Sequence, residues 1–232
     1  MKKFINKQKI SVKKQYDKVG RDYLSGQQKF FSKREDQAIR FIIDSLPNLK
    51  RKNILDFGCG NGKDIKRYEK IGAKNIYGID TSEFMVSEAK KNVKSSDNIF
   101  VADIQKTQFK NNYFNVVVGR FSFHYLNEFD LAFKEVSRIL KKGGILIFVV
   151  HHPFKDLIMK KVKTYSNKEI IKVELYNNKV PIYFPTHTLK EYFSNNFFKY
   201  FYVDSFEEEQ SPEEYLDKFR LPGFMGIKAI KR

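Results

Sequence analysis

The chain has 232 residues, 41% hydrophobic and 16% aromatic, enough to bury one sizeable core without division into domains. Its apolar runs, such as Gly144 to Val150, fall far short of the ~20 residues that span a bilayer, and the basic start lacks the apolar stretch and small-residue cleavage site of a secretory signal. A lone Cys59 excludes an internal disulfide framework and a multi-cysteine zinc site, so a cytoplasmic protein with no membrane partner is expected.

The net charge of +17 invites a nucleic-acid reading. The lysines, however, are scattered over every predicted element, and the basic start is matched by an acidic stretch from Glu207 to Glu214. A nucleic-acid partner is therefore possible but not favoured over a small-molecule substrate.

Residues 1–46 read as a helical lead-in. Phe30, Phe31, Ala38, Ile39, Ile42, Ile43 and Leu46 recur at near-helical spacing, and Pro47 follows as a stop. Short β-branched runs then alternate with amphipathic stretches. Strands are predicted at Asn53 to Phe57, Asn75 to Ile79, Ile99 to Ala102, Phe114 to Gly119 and Gly144 to Val150, and helices near 62–71, 82–94 and 128–141. That alternation implies right-handed βαβ units and a parallel sheet, hence an α/β, Rossmann-like fold.

After Val150 the pattern changes. Glu169 to Tyr176 and Lys179 to Phe184 flank Asn177-Asn178 and predict an antiparallel hairpin. A helix from about Thr188 to Asn196 follows, then strands at Lys199 to Phe206 and Phe224 to Ile230 whose lack of a crossover helix predicts antiparallel closure of one sheet edge. The chain thus divides into a cover (1–46), a ligand-binding core (47–152), a hairpin and helix lid (153–198) and closing strands (199–232), all within one domain.

The chemistry is concentrated in Asn-Ile-Leu-Asp-Phe-Gly-Cys-Gly-Asn-Gly, 53–62: an apolar strand, a carboxylate at its end, and a loop whose glycines let the backbone approach a ligand. Asp56, Asp80 and Asp103 follow the first three strands at equivalent places, so all three line the sheet edge where open α/β sheets bind ligands. Asp80 lies 24 positions after Asp56, near the ~20-residue spacing at which an acidic residue reaches ribose hydroxyls. A nicotinamide-dinucleotide fingerprint wants G-x-G-x-x-G, whereas the glycines here fall at 58, 60 and 62, and it gives Asp103 no role.

These residues resemble the class I S-adenosylmethionine-dependent methyltransferases. The resemblance is carried by Ile54 to Gly62, by Tyr-Gly-Ile-Asp-Thr-Ser-Glu-Phe-Met at 77–85, by Ala-Asp-Ile at 102–104 and by Leu-Lys-Lys-Gly-Gly at 140–144. It extends over residues 14–232 through Arg-Phe-Ser-Phe-His-Tyr-Leu (120–126), His-His-Pro-Phe (151–154) and Thr-His-Thr-Leu-Lys-Glu-Tyr (186–192), which look like a small-molecule-type, type 11-like bacterial branch.

The resemblance implies a seven-stranded sheet of order 3-2-1-4-5-7-6 with strand 7 antiparallel, the N-terminal helices and a β-hairpin lid covering it. It implies S-adenosylmethionine as cofactor and S-adenosylhomocysteine as product. Gly58 and Gly60 would then approach the methionyl part, Asp80 would hold the ribose, Met85 would pack near the adenine and Asp103 with Ile104 would meet its exocyclic amine, with Asp56, Cys59 and Thr81 as further cofactor-binding residues. Arg120 would line the pocket through its backbone.

The acceptor is less legible. Adenine-nitrogen methylation, as the family is known, uses an Asn or Asp-Pro-Pro-aromatic sequence where Gly119-Arg120-Phe121-Ser122 stands, and cytosine C5 methylation needs a nucleophilic thiol that Cys59, inside the cofactor loop, does not offer. O- or N-methylation of a small acceptor wants a base near neutrality. Of four histidines, His124, His151 and His152 fall at the ligand edge and are candidate catalytic groups, while His187, Tyr16 and Tyr23 are candidate acceptor contacts. Alternatives are an RNA or acidic carrier-protein methyltransferase and a non-catalytic cofactor-binding subunit, as a monomer or homodimer.

Overall fold

The computed structural model describes residues 12–29, 33–159, 164–176, 180–209 and 221–232. Helices α1 (Val12–Lys29) and α2 (Lys33–Ser45) lead into β1 (Asn53–Phe57), α3 (Lys63–Lys70), β2 (Asn75–Asp80), α4 (Glu83–Asn92), β3 (Ile99–Val101), β4 (Phe114–Arg120), α5 (Asp130–Ile139) and β5 (Leu140–His151). A short α6 (Pro153–Met159) precedes the hairpin β6 (Ile170–Leu175) and β7 (Val180–Pro185). The chain then runs through α7 (Leu189–Tyr192), α8 (Asn195–Tyr200), β8 (Phe201–Glu208) and β9 (Phe224–Lys231). Phe30, Phe31, Asn177, Asn178 and the acidic stretch from 210 onward lie outside the described residues.

The main sheet has order β3-β2-β1-β4-β5-β9-β8. Its first five strands run parallel, and β9 is antiparallel to both neighbours, as the resemblance implied. Side chains alternate across the strands because the strand repeat is two residues. Leu55, Val117, Leu146 and Phe148 face one core with α5, α7 and α8, while Ile54, Val116, Val118 and Ile147 face the other with α2, α3 and α4. Helices on both faces make the middles of the central strands apolar, Ile54–Leu55 in β1 and Val116–Val118 in β4.

The hairpin stands apart as a two-stranded sheet. Its inward residues Ile171, Val173, Val180, Ile182 and Phe184 are buried, and Val19, Tyr23 and Tyr125 pack against them. Helix α1 joins this hairpin to the core. Gln15 exchanges two hydrogen bonds with the backbone of Tyr183, at 2.8 and 3.3 Å, and Asp17 accepts from Ser82 Oγ at 2.6 Å and from the Phe84 N–H at 3.3 Å. At Gly20 a Cβ would come within 2.3 Å of the Phe84 ring, so only glycine permits this approach.

Several boundaries differ from expectation, among them β5, which begins at Leu140 rather than Gly144. The stretch predicted as one helix from Thr188 is two, because Thr188 closes a capping box with Glu191 and Ser194 starts a second helix by accepting from the Phe197 N–H. Lys199 and Tyr200 consequently belong to α8, and the strand begins at Phe201. Residues 153–159 form a helix the sequence reading did not mark. Among the described residues no helix is long and apolar enough to cross a membrane.

Candidate active site

The carboxyl ends of β1 to β4 open on a cavity of about 660 Å3, roofed by α1 and the hairpin. Its size falls within the roughly 300 to 1,000 Å3 of small-molecule sites. Asp56, Asp80 and Asp103 all line it, as does the loop from Gly58 to Asn61. The sequence therefore placed the three carboxylates on one rim correctly.

The loop turns tightly. Gly58 has φ +68°, and a Cβ there would reach within 2.5 Å of the Ser122 Cβ, so the turn after β1 can pack on the turn after β4 only as glycine. Asp80 holds the loop from the other side, its Oδ2 accepting from the Gly60 N–H at 3.0 Å and its Oδ1 from the Ser82 N–H at 2.9 Å. Burial raises the Asp80 carboxyl, and the N–H groups of Ser82, Gly60 and Thr81 oppose that rise.

Asp56 is 2% exposed and its Oδ2 has no hydrogen-bond partner. Burial, and then the neighbouring Asp64, push its carboxyl well above the usual carboxylate range, with Arg120 pulling the other way. Asp64 itself would be raised by burial, but Arg120 and Arg67 outweigh this and hold it below the ordinary range. Arg120 Nε sits 2.5 Å from Asp64 Oδ2 and Arg67 pairs with the other oxygen. The arginine thus contributes its guanidinium as well as its backbone.

Thr81, Cys59, and Met85, which is 2% exposed, line the same cavity. Burial raises the Cys59 thiol well above its ordinary value, leaving no thiolate for nucleophilic work. Asp103 is exposed, with Oδ1 accepting from the Gln105 N–H at 2.8 Å. Ile104 departs from expectation: its side chain is fully buried in the core and does not line the cavity.

Of the histidines, His124 and His151 line the cavity, ring centroids 4.7 Å apart. His152 does not: the ring is turned to the β8 edge, Nε2 2.8 Å from Glu208 Oε1 and Nδ1 accepting from the Phe154 N–H at 3.3 Å. His187 also lies behind the wall, its Nε2–H donating to the His124 carbonyl at 3.1 Å. Tyr16 and Tyr23 line the cavity and meet edge to face at 5.4 Å, and the Tyr16 hydroxyl lies 2.6 Å from that of Tyr125.

Sequence reasoning missed Asp64, Phe121, Ser122 and Tyr125. A signal existed for the last three, since they follow β4 at the ligand edge. No signal in the sequence pairs Asp64 with Arg120.

Residues 55–148 match the family described as "Methyltransferase domain". A solved structure from Listeria monocytogenes, titled a putative S-adenosylmethionine dependent methyltransferase, superposes with TM-score 0.70 at 26% identity, covering 84% of this chain and 98% of that one. The family match and the superposition together support a class I S-adenosylmethionine-dependent methyltransferase domain. S-adenosylmethionine is the cofactor of this class. Among curated relatives, the putative methyltransferase YqeM of Bacillus subtilis is 40% identical over 126 residues, 52% of this chain and 50% of the relative. The malonyl-[acyl-carrier protein] O-methyltransferase of Buchnera aphidicola is 29% identical over 111 residues, 48% of this chain and 44% of the relative. The chain spans about half the length of the curated relatives it matches.

Proposed function

We propose that the chain transfers the methyl group of S-adenosylmethionine to an oxygen or nitrogen of a small-molecule acceptor in the cytoplasm. The observation that carries the donor half is the buried, unpartnered Oδ2 of Asp56 beside an open glycine loop. A buried acceptor atom without a donor is costly, and a cationic amine satisfies it; the residues present fit the cofactor. Asp56 and the N–H groups of Gly58 to Gly60 would hold the methionyl end, Asp80 and Thr81 the ribose, and Met85 and Asp103 the adenine. Ile104 would contribute through its backbone alone.

The cofactor supplies an electrophilic methyl on a positively charged sulfur. The chain's own work is to align the acceptor with that methyl and keep water out, which the roof of α1 and hairpin suits. No residue need form a covalent bond, and the buried thiol of Cys59 offers none.

A second reading, methylation of an RNA or an acidic carrier protein, is favoured by the net charge of +17 and by the carrier-protein relative. Incubation with labelled S-adenosylmethionine and fractionated cell extract separates the readings. Label in small molecules supports the first, label in RNA or protein the second, and tight cofactor binding with no transfer to any fraction makes the chain a non-catalytic binding subunit.

A further inference from the structure

The cavity has two chemically different ends. The Asp80 and Asp103 rim is charged. By contrast, the described lining residues from the hairpin, the 3₁₀ turn Phe123–Tyr125 and the last position of β5 are Leu175, Tyr176, Ile182, His124, Tyr125 and His151, and none carries a fixed charge. Two tyrosines of α1, Tyr16 and Tyr23, complete that end.

His124 is out of place in such a wall. It is 2% exposed, yet neither ring nitrogen has a hydrogen-bond partner. Its ring is fixed by Tyr125 at 4.4 Å, Phe184 at 4.7 Å and His151 at 4.7 Å, and its backbone carbonyl is held by His187. Burial, with His151 and His187 nearby, lowers its pKa well below the ordinary value, so the imidazole is neutral. Phe121, between His124 and His151, has a left-handed φ of +52°, a strained conformation that concentrates at binding sites.

Building on the donor-site reading above, we propose that this end is the acceptor subsite, and that it takes an uncharged planar aromatic or heteroaromatic molecule whose hydroxyl or N–H donates to a ring nitrogen of His124. The rings here meet edge to face, Tyr16 with Tyr23 and Tyr125 and His124 with His151, and such a set offers both edges and faces to a planar aromatic guest. A wall without a fixed charge disfavours both ions, because a carboxylate or an ammonium buried against it gives up hydration with no counter-charge to replace it. A ring nitrogen left without a partner in an otherwise uncharged wall discriminates in favour of a guest that can donate to it and against one that cannot. His124 is the acceptor-contacting residue in this arrangement, and His187 positions it.

The test uses 2-naphthol, which has the donor, and 2-methoxynaphthalene, which has the same plane without it. Both are titrated by fluorescence into protein saturated with S-adenosylhomocysteine, alongside 2-naphthoate and 2-naphthylmethylammonium. The expected result is that 2-naphthol binds about tenfold tighter than each of the other three. His124→Phe should erase its advantage over 2-methoxynaphthalene and His124→Gln should keep it, S-adenosylhomocysteine affinity staying unchanged in both and reporting intact folding. Equal binding of naphthol and its ether, tighter binding of either ion, or no binding of any probe overturns the proposal. Absence of S-adenosylhomocysteine binding instead overturns the donor-site reading, and naphthol titration of the unliganded protein then still tests the subsite.

Discussion

Arg120, the last residue of β4, reaches Asp64 in the first turn of α3 with Nε 2.5 Å from Oδ2, and this bond ties the end of one strand to the helix that follows the glycine loop. Both side chains are largely buried, 12% and 8% exposed. Removing Arg120 leaves the buried Asp64 carboxylate with Arg67 as its remaining cation, and truncating one partner of a buried ion pair is strongly destabilising. Arg120→Ala is expected to destabilise the fold by about 3 kcal/mol, a fall in melting temperature of roughly 6 to 12 °C for a chain of this size. Arg120→Ala melting within a degree of wild type would show that Arg67 alone suffices for Asp64.

Asp56 links pH to both stability and binding. Its carboxyl is raised in the folded protein, so between the unfolded value near 3.9 and the folded one the native state holds the extra proton, and stability falls as pH rises through that window. Above it, the ionised carboxylate is a standing cost that a bound amine relieves. Asp56→Asn is therefore expected to flatten the decline in melting temperature of the ligand-free protein as pH rises above the unfolded value, and to melt higher than wild type once the native carboxyl ionises. The same variant should lose S-adenosylmethionine affinity, and wild-type affinity should weaken as pH drops through the raised carboxyl value. Calorimetry of both proteins across that range checks both signs.

Asp80→Ala removes an acceptor shared by the Gly60 and Ser82 N–H groups as well as the proposed ribose contact. Loss of charge-assisted hydrogen bonds predicts cofactor binding weaker by about 1 to 3 kcal/mol, roughly 5- to 150-fold. Unchanged calorimetric affinity in a folded variant would remove the ribose assignment.

Helix α1 should govern how fast cofactor leaves. Gly20→Ala drives a methyl into the Phe84 ring, and Asp17→Ala frees Ser82 Oγ and the Phe84 N–H. Each variant is expected to raise the dissociation rate of S-adenosylhomocysteine by about tenfold, with cleavage by added protease in α1 increasing in parallel. Stopped-flow displacement with faster cleavage but an unaltered off-rate would show that α1 does not cover the ligand.

The sheet was legible because parallel central strands leave an apolar trace and because loop glycines and strand-end carboxylates sit at fixed offsets from it. The facing of side chains beyond the strands was not. His151 and His152 are neighbours in sequence, yet only the first lines the cavity; His152 lies just past the end of β5, and its ring is held by Glu208 of β8 and the Phe154 N–H. His187, an expected acceptor contact, does not line the cavity, because its Nε2–H is engaged by the His124 carbonyl, a tertiary contact 63 positions away. The Arg120 and Asp64 pair, 56 positions apart, depends on tertiary packing that no local pattern encodes.

The roof of the cavity is made early and seated late. Helix α1 is synthesised before the elements it rests on, yet Asp17 waits for Ser82 and Gln15 waits for Tyr183, 65 and 168 positions downstream. Contacts of such separation form after local ones because the intervening loop must first be closed. During synthesis Ser82 emerges before β3 to β5 and Tyr183 only after them, so the core seat of α1 and all five parallel strands are available before the hairpin that encloses the chamber.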